Sequence, residues 1–235
     1  MNEYQGKKIL VMVAHPDDEV LGCGGTIAQH TSRGDTVWVC ILGEGVMSRT
    51  SFSEREKEEQ LKQLQGFAKK ASSILGVQRV IFKNFPDNAF DRVARLDIIH
   101  EVESIFKTFQ PQIVYTHHQS DVNIDHQYSV EIVQALCRPL PRSSIESVFS
   151  FEIPSSTEWN YVKADLFRPN VFIELSEELM KKKIEALEAY ASELRQFPHP
   201  RSLEYIRALA QVRGGQAGFD YAEAFQLVYI RYSRE

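Results

Sequence analysis

Residues 9–14 are consecutively apolar and run directly into His15-Pro16-Asp17-Asp18-Glu19; no other junction in the chain constrains the fold as strongly. A run without polar alternation is a strand buried on both faces, the pattern of a parallel sheet covered by helices. Five polar or turn residues then close it abruptly. Ligands on open parallel sheets bind beyond the carboxyl ends of the strands. An imidazole and carboxylates therefore sit where such a sheet does its chemistry.

The rest of the chain repeats this alternation. Residues 36–42, 79–82 and 112–116 read as further strands, and residues 19–33, 53–75 and 95–109 as the helices between them. Ser53 followed by Glu56 has capping-box spacing, and Leu96, Ile99, Val102, Ile105 and Phe106 recur at helical intervals. A helix over 125–137 ends before Pro139 and Pro141. The order β-α-β-α-β-α-β predicts an α/β fold, a Rossmann-like, mostly parallel sheet with helices on both faces. Beyond Pro141 the pattern changes: strands over 145–153 and 171–175, helices over 177–195 and 202–214, and a last apolar run over 224–230. No composition break marks a linker. The expectation is one domain over 1–235, with a core in 1–140 and an elaborated C-terminal portion, 141–235, completing the pocket.

Composition excludes several classes. Fourteen Phe, nine Tyr and two Trp argue against disorder. With 27 basic against 32 acidic residues the net charge is −5, which argues against nucleic acid or an anionic membrane as the main partner. Six apolar residues fall short of the ~20 that cross a membrane, and the polar cluster after them spoils a signal-peptide core. Cys23, Cys40 and Cys137 are odd in number and lack a CxxC spacing. They read as buried thiols in a reducing, cytoplasmic setting.

A second polar cluster, Thr116-His117-His118-Gln119-Ser120-Asp121-Val122-Asn123-Ile124-Asp125-His126, closes the fourth predicted strand. An open catalytic zinc site needs three protein ligands and a position for water; His15, Asp18 and His126 would supply the three. The rival reading has Asp17 and Asp18 capping the next helix. The Asp121-x-Asn123-x-Asp125 run fails as a calcium loop, because His126 replaces the turn glycine and Ile132 the closing Glu.

The Ala14–Glu19 segment AHPDDE, Gly22-x-Gly24-Gly25 and the Ser120–His126 segment SDxNxDH resemble the PIG-L/LmbE family of zinc-dependent de-N-acetylases. Arg55-x-x-Glu58 and Pro86-Asp87-Asn88 extend the resemblance in order over the first 130 residues. It implies an LmbE-like fold in which His15, Asp18 and His126 hold one zinc ion and Asp17 is the general base, with Glu19 serving the helix N-terminus. It also implies a homo-oligomer, commonly a hexamer, assembled through the C-terminal half.

One position departs from the family pattern. Asn123 stands where many members have a histidine, and an amide donates a hydrogen bond to an oxyanion but does not shuttle a proton. Asp17 would then return its proton to the leaving amine, with His118 in reserve. Arg55 either polarises the substrate carbonyl or pairs on the surface with Glu58 or Glu59. Asp125 either orients a catalytic side chain or caps a helix. Asp87 and Asn88 are expected to bind sugar hydroxyls or form a turn, His199 to line the pocket rim, and His117 to support the site from behind. His30 and His100 read as solvent-facing.

Gly22-Cys23-Gly24-Gly25 fails the dinucleotide fingerprint, since Ile27 stands at the third glycine; these glycines are expected to let a helix approach the sheet. The function these residues predict is removal of the acetyl group from a small N-acetylated amino sugar of the GlcNAc type. The alternatives are zinc hydrolysis of another N-acyl metabolite, such as a thiol-cofactor precursor or an antibiotic intermediate, and a sugar-binding protein without catalysis.

Overall fold

The computed structural model describes residues 5–45, 53–162 and 165–232. Four parallel β-α units open the chain: β1 (Lys8–Val13), α1 (Asp18–Ser32), β2 (Thr36–Gly43), α2 (Glu54–Leu75), β3 (Arg79–Phe85), α3 (Arg95–Phe109), β4 (Ile113–His117) and α4 (Ile124–Leu136). Then come β5 (Ser147–Phe151), β6 (Val171–Glu174), α5 (Glu177–Glu188), α6 (Leu203–Ala217) and β7 (Ala222–Ile230). All seven strands join one sheet in the order β3-β2-β1-β4-β5-β7-β6. The first five are parallel, and β7 runs antiparallel to both β5 and β6. This is the expected α/β architecture with a mostly parallel sheet.

The pleat of β1 divides the core. Ile9, Val11 and Val13 face α1, α2, α5 and α6, while Leu10, Met12 and Ala14 face α3 and α4. Both faces are covered, which is why β1 reads as one continuous apolar run. Strand order reverses between β2-β1 and β4-β5, so the β1/β4 junction is the topological switch point where a crevice opens. Residues 15–18 and 118–126 follow those two strands.

Helix α1 comes unusually close to the sheet. A Cβ on Gly22 would lie 2.4 Å from the Phe151 ring of β5, and one on Gly25 would lie 2.5 Å from Leu175. The glycines grant this approach, as their spacing suggested. Cys23 leaves helical geometry (φ −151°, ψ 28°), and the helix resumes with the Gly25 and Thr26 N–H groups donating to the Glu223 carboxylate at 2.9 and 2.6 Å. Lys183 completes the arrangement, 2.6 Å from Glu223.

Two sequence expectations change. The helix expected over 177–195 ends at Glu188. Tyr190 is wholly buried and its hydroxyl donates to Glu19 at 2.5 Å, so the chain turns inward there. Residues 189–201 become a loop leading back over the crevice. His30, expected in solvent, is buried, its ring held by Asp35 and Tyr115.

Candidate metal centre and active site

His15, Asp18 and His126 offer ligand atoms within 4.8 Å of one another. Asp18 Oδ2 lies 3.5 Å from His15 Nδ1 and 3.4 Å from His126 Nε2. These separations are long for hydrogen bonds. They match the edge of a tetrahedron with metal–ligand bonds of ~2.1 Å, about 3.4 Å. Asp18 is fully buried, and its Oδ1 has no hydrogen-bond partner among the described residues, an arrangement that a cation relieves. The donor set and its spacing fit a divalent transition metal such as zinc.

The far nitrogen of each imidazole meets a carboxylate. His15 Nε2 is 2.9 Å from Asp125 Oδ2 and 3.1 Å from Asp87 Oδ1, and His126 Nδ1 is 3.2 Å from Asp121 Oδ1. A hydrogen-bonded partner such as Asp125 fixes ring orientation and raises ligand basicity, while Asp121 lies against His126 as a charge without hydrogen-bond alignment to Nδ1. His15, Asp87 and Asp125 form a second acidic grouping. Its short contacts, together with backbone N–H donation from Asn88 (2.6 Å) and Phe90 (3.0 Å) to Asp125, describe a hydrogen-bonded cradle for His15. His117 Nε2 accepts the Ala14 N–H at 2.9 Å and its ring stacks on His126, centroids 3.9 Å apart. Burial, and then the charge of His126, push His117 down to about 3, so this support stays neutral.

Asp17 sits beside the cluster in left-handed backbone geometry, φ 106° and ψ −27°, a strained state for a residue with a Cβ. Its side chain makes no helix-capping bond, and Asp18 Oδ2 accepts the His15 N–H instead. The capping reading of these two aspartates therefore fails. Burial raises the Asp17 carboxyl to about 7, against the pull of Arg201 and with the push of Asp18. Arg201 Nη1 donates to Asp17 Oδ2 at 2.8 Å. Glu19 accepts from the Asp17 N–H (3.1 Å) and from Tyr190; burial raises it to about 8. Among the free ligand groups, burial lowers His126 but the charges of Asp18 and Asp121 lift it to about 9. Burial raises Asp18, but the charge of His126 outweighs it and holds this carboxyl well below the usual carboxylate range.

Other residues singled out in the sequence fall differently. Asn123 is the N-cap of α4: its Oδ1 accepts the Asp125 N–H at 2.8 Å and its Nδ2 donates to Asn88 Oδ1 at 3.0 Å, leaving one amide hydrogen. Asp125 is thus not the cap. Asp87 is buried and turns to His15, 3.1 Å away, whereas Asn88 is exposed, its side-chain amide bonded to Asp87 and Asn123 and its backbone N–H to Asp125. His118 is not brought to the cluster. Neighbours on a strand point to opposite faces, so with His117 against Asp18, His118 lies against Phe167 and Gln226. Arg55 is also elsewhere, its side chain 89% exposed and paired with Glu59 at 3.1 Å. His199 packs edge-on to Trp159, and its Nδ1 accepts the Arg201 N–H.

Asp121, Arg201 and Tyr190 escaped the sequence reading. The signal for Asp121 was present in the Asp-x-Asn-x-Asp run, whereas nothing local pointed from Arg201 to Asp17. Tyr190 offered no signal.

The chain is 29% identical to the uncharacterized deacetylase YaiS of Escherichia coli, over 79% of this chain and 91% of that one. It is 27% identical to the diacetylchitobiose deacetylase of Thermococcus kodakarensis, over 94% and 83%. The crystal structure of GalB, the 4-carboxy-2-hydroxymuconate hydratase of Pseudomonas putida, superposes with a TM-score of 0.78 and 24% identity, covering 97% of this chain and 99% of that one; at that identity it speaks for the fold alone. Residues 10–137 match the PIG-L family, described as GlcNAc-PI de-N-acetylase. The chain belongs to this family of deacetylases, hydrolases of amide bonds.

Proposed function

We propose that the protein is a metal-dependent hydrolase, zinc being the ion its donors suit best, that removes the acetyl group from the nitrogen of a small amino-sugar derivative. The observation that carries this reading is the convergence of His15, Asp18 and His126 with an unused Asp18 oxygen, beside the buried carboxylate of Asp17. Relatives named as deacetylases of acetylated sugars support the substrate class.

His15, Asp18 and His126 would hold the ion. When bound, such an ion acts as a Lewis acid and lowers the pKa of a coordinated water to ~7. Asp17 takes a proton from the water that attacks the acetamide carbon. It then returns that proton to the departing nitrogen, the role left to it by Asn123 and by His118, which is buried away from the cluster against Phe167 and Gln226. The remaining Asn123 N–H is the amide donor left for the developing oxyanion. Asp125 and Asp87 keep the His15 imidazole oriented, and the charge of Asp121 lies against His126. The products are acetate and a free amine.

Three free, buried cysteines support a reducing, cytoplasmic setting, and among the described residues no helix is long and apolar enough to cross a membrane. Exposed Val212, Phe219, Val228 and Ile230 on the α6–β7 unit support assembly of copies through the C-terminal half.

Acetate release from a panel of N-acetylated sugars and other N-acyl compounds tests the reading. Release is expected to favour the sugars, to stop with a chelator and return with zinc, and to fall at least 100-fold in Asp17→Asn. A preference for non-sugar amides would favour the other N-acyl reading. No release from any amide would overturn the enzyme reading in favour of a binding protein.

A further inference from the structure

We propose that Arg201 is a positioning residue that fixes the side-chain orientation of Asp17 over the metal centre. The inference rests on the deacetylase reading above and adds to it the element that aims the base.

The backbone of Asp17 is held locally. Its N–H donates to Glu19 Oε2 and its carbonyl accepts the Val20 and Leu21 N–H groups at 3.0 and 2.9 Å. None of these contacts sets where the carboxylate points. Arg201 Nη1, 2.8 Å from Asp17 Oδ2, engages one carboxylate oxygen. Arg201 is itself anchored. Its Nε donates to Ser155 Oγ at 2.9 Å, its N–H to His199 Nδ1 at 3.0 Å, and its carbonyl accepts the Arg195 N–H at 3.3 Å. A planar guanidinium bonded at both Nε and Nη1 is a rigid strut.

The far end of the strut is tied to the metal centre by a second route. Ser155 begins a turn whose next residues, Ser156 and Thr157, donate their hydroxyls to Asp121, the Thr157 contact being 2.6 Å. Asp121 in turn backs His126. One turn therefore holds the base through Arg201 and a metal ligand through Asp121, and it sets the distance between them. Ser155 and Ser156 N–H groups donate to the Glu158 carboxylate at 2.6 and 3.1 Å, which stiffens that turn. Reacting groups misplaced by ~1 Å lose about 100-fold in rate, so a base in strained backbone geometry needs such a strut.

Arg201→Ala is expected to lower kcat on the best N-acetylated sugar about 100-fold, with KM within about threefold and bound zinc unchanged. Guanidinium in the assay should restore part of the loss, and Arg201→Lys, which keeps the charge without the two-point fork, should fall between. Ser155→Ala frees only Nε and should lower kcat by less than Arg201→Ala; with Arg201→Lys it carries the test if the alanine variant does not fold. A crystal structure of Arg201→Ala should show the Asp17 carboxylate in another rotamer. An unchanged kcat, a raised KM at constant kcat, loss of zinc together with thermal stability, or an unmoved Asp17 would each overturn the inference. Active wild-type protein with an unimpaired Arg201→Ala overturns this inference alone. Wild-type protein that cleaves no amide overturns the deacetylase reading as well.

Discussion

Asp125 Oδ2 lies 2.9 Å from His15 Nε2 across 110 residues of sequence, and through it the start of α4 orients the histidine that closes β1. The same carboxylate takes the Asn88 and Phe90 N–H groups. Asp125→Asn preserves shape and removes the charge. Partners of this kind are worth 10–100-fold in metal affinity, so zinc affinity by competition with a chelator should fall by about that factor. Wild-type protein should also unfold at lower temperature after metal removal, since an ion at 100 times its Kd stabilises by about 2.7 kcal/mol. Unchanged affinity in Asp125→Asn would mean that Asp125 serves only the backbone of the 88–90 loop.

The approach of α1 to β5 makes a second prediction. A methyl group at Gly22 meets the Phe151 ring at 2.4 Å, and Phe151 is fully buried. Overpacking of this kind costs about 1–3 kcal/mol, so Gly22→Ala should lower the urea midpoint accordingly. Phe151→Leu makes room, and the double variant should be less destabilised than the sum of the singles. Additive losses would show that the two side chains do not compete for the space.

What the sequence disclosed follows from how far each signal travels along the chain. His15 and Asp18 were legible because three residues separate them and a buried strand aims them. His126 was legible because its cluster closes another strand of the same kind. Arg201 was not, since 184 residues separate it from Asp17 and no local period encodes that contact. The choice between His117 and His118 turns on strand parity. Both are buried, and only the pairing of β4 with β1 and β5 decides which of them reaches the metal cluster. Asp87 and Asn88 were placed correctly at a strand end, yet whether their polar atoms face a ligand or a neighbouring imidazole depends on the crevice closing around them.

The buried pair of Lys183 and Glu223 yields a third prediction. Lys183 Nζ is 2.6 Å from Glu223 Oε1 and 2.9 Å from the Leu21 carbonyl, and both side chains are buried. Removing one partner of such a pair costs about 3–5 kcal/mol because the other charge stays desolvated. Lys183→Met should show that loss in chemical unfolding. Glu223→Gln added to it removes the stranded charge and keeps one oxygen to accept from either the Gly25 or the Thr26 N–H, while its NH2 faces the other, so stability should return only in part. A double variant as weak as the single would locate the whole cost in the packing of α5.

His30 lies away from the metal centre and links α1 to β4 and to the turn before β2. Its Nδ1 is 2.6 Å from Asp35 and its Nε2 is 3.0 Å from the Tyr115 hydroxyl. Burial lowers its pKa below 6.5, against the opposing pull of the Asp35 carboxylate. The folded protein therefore binds fewer protons at His30 than the unfolded chain does at pH below about 6.5. Stability from this group is fully present above that pH and is lost as pH falls toward the lowered value, at no more than about 1.4 kcal/mol per pH unit. Unfolding free energies of wild type and His30→Gln, measured from pH 8 to pH 5, should converge toward the acid end as the wild type loses what the variant never had. A constant or widening gap would place the folded His30 pKa at or above its ordinary value, with the Asp35 carboxylate outweighing burial.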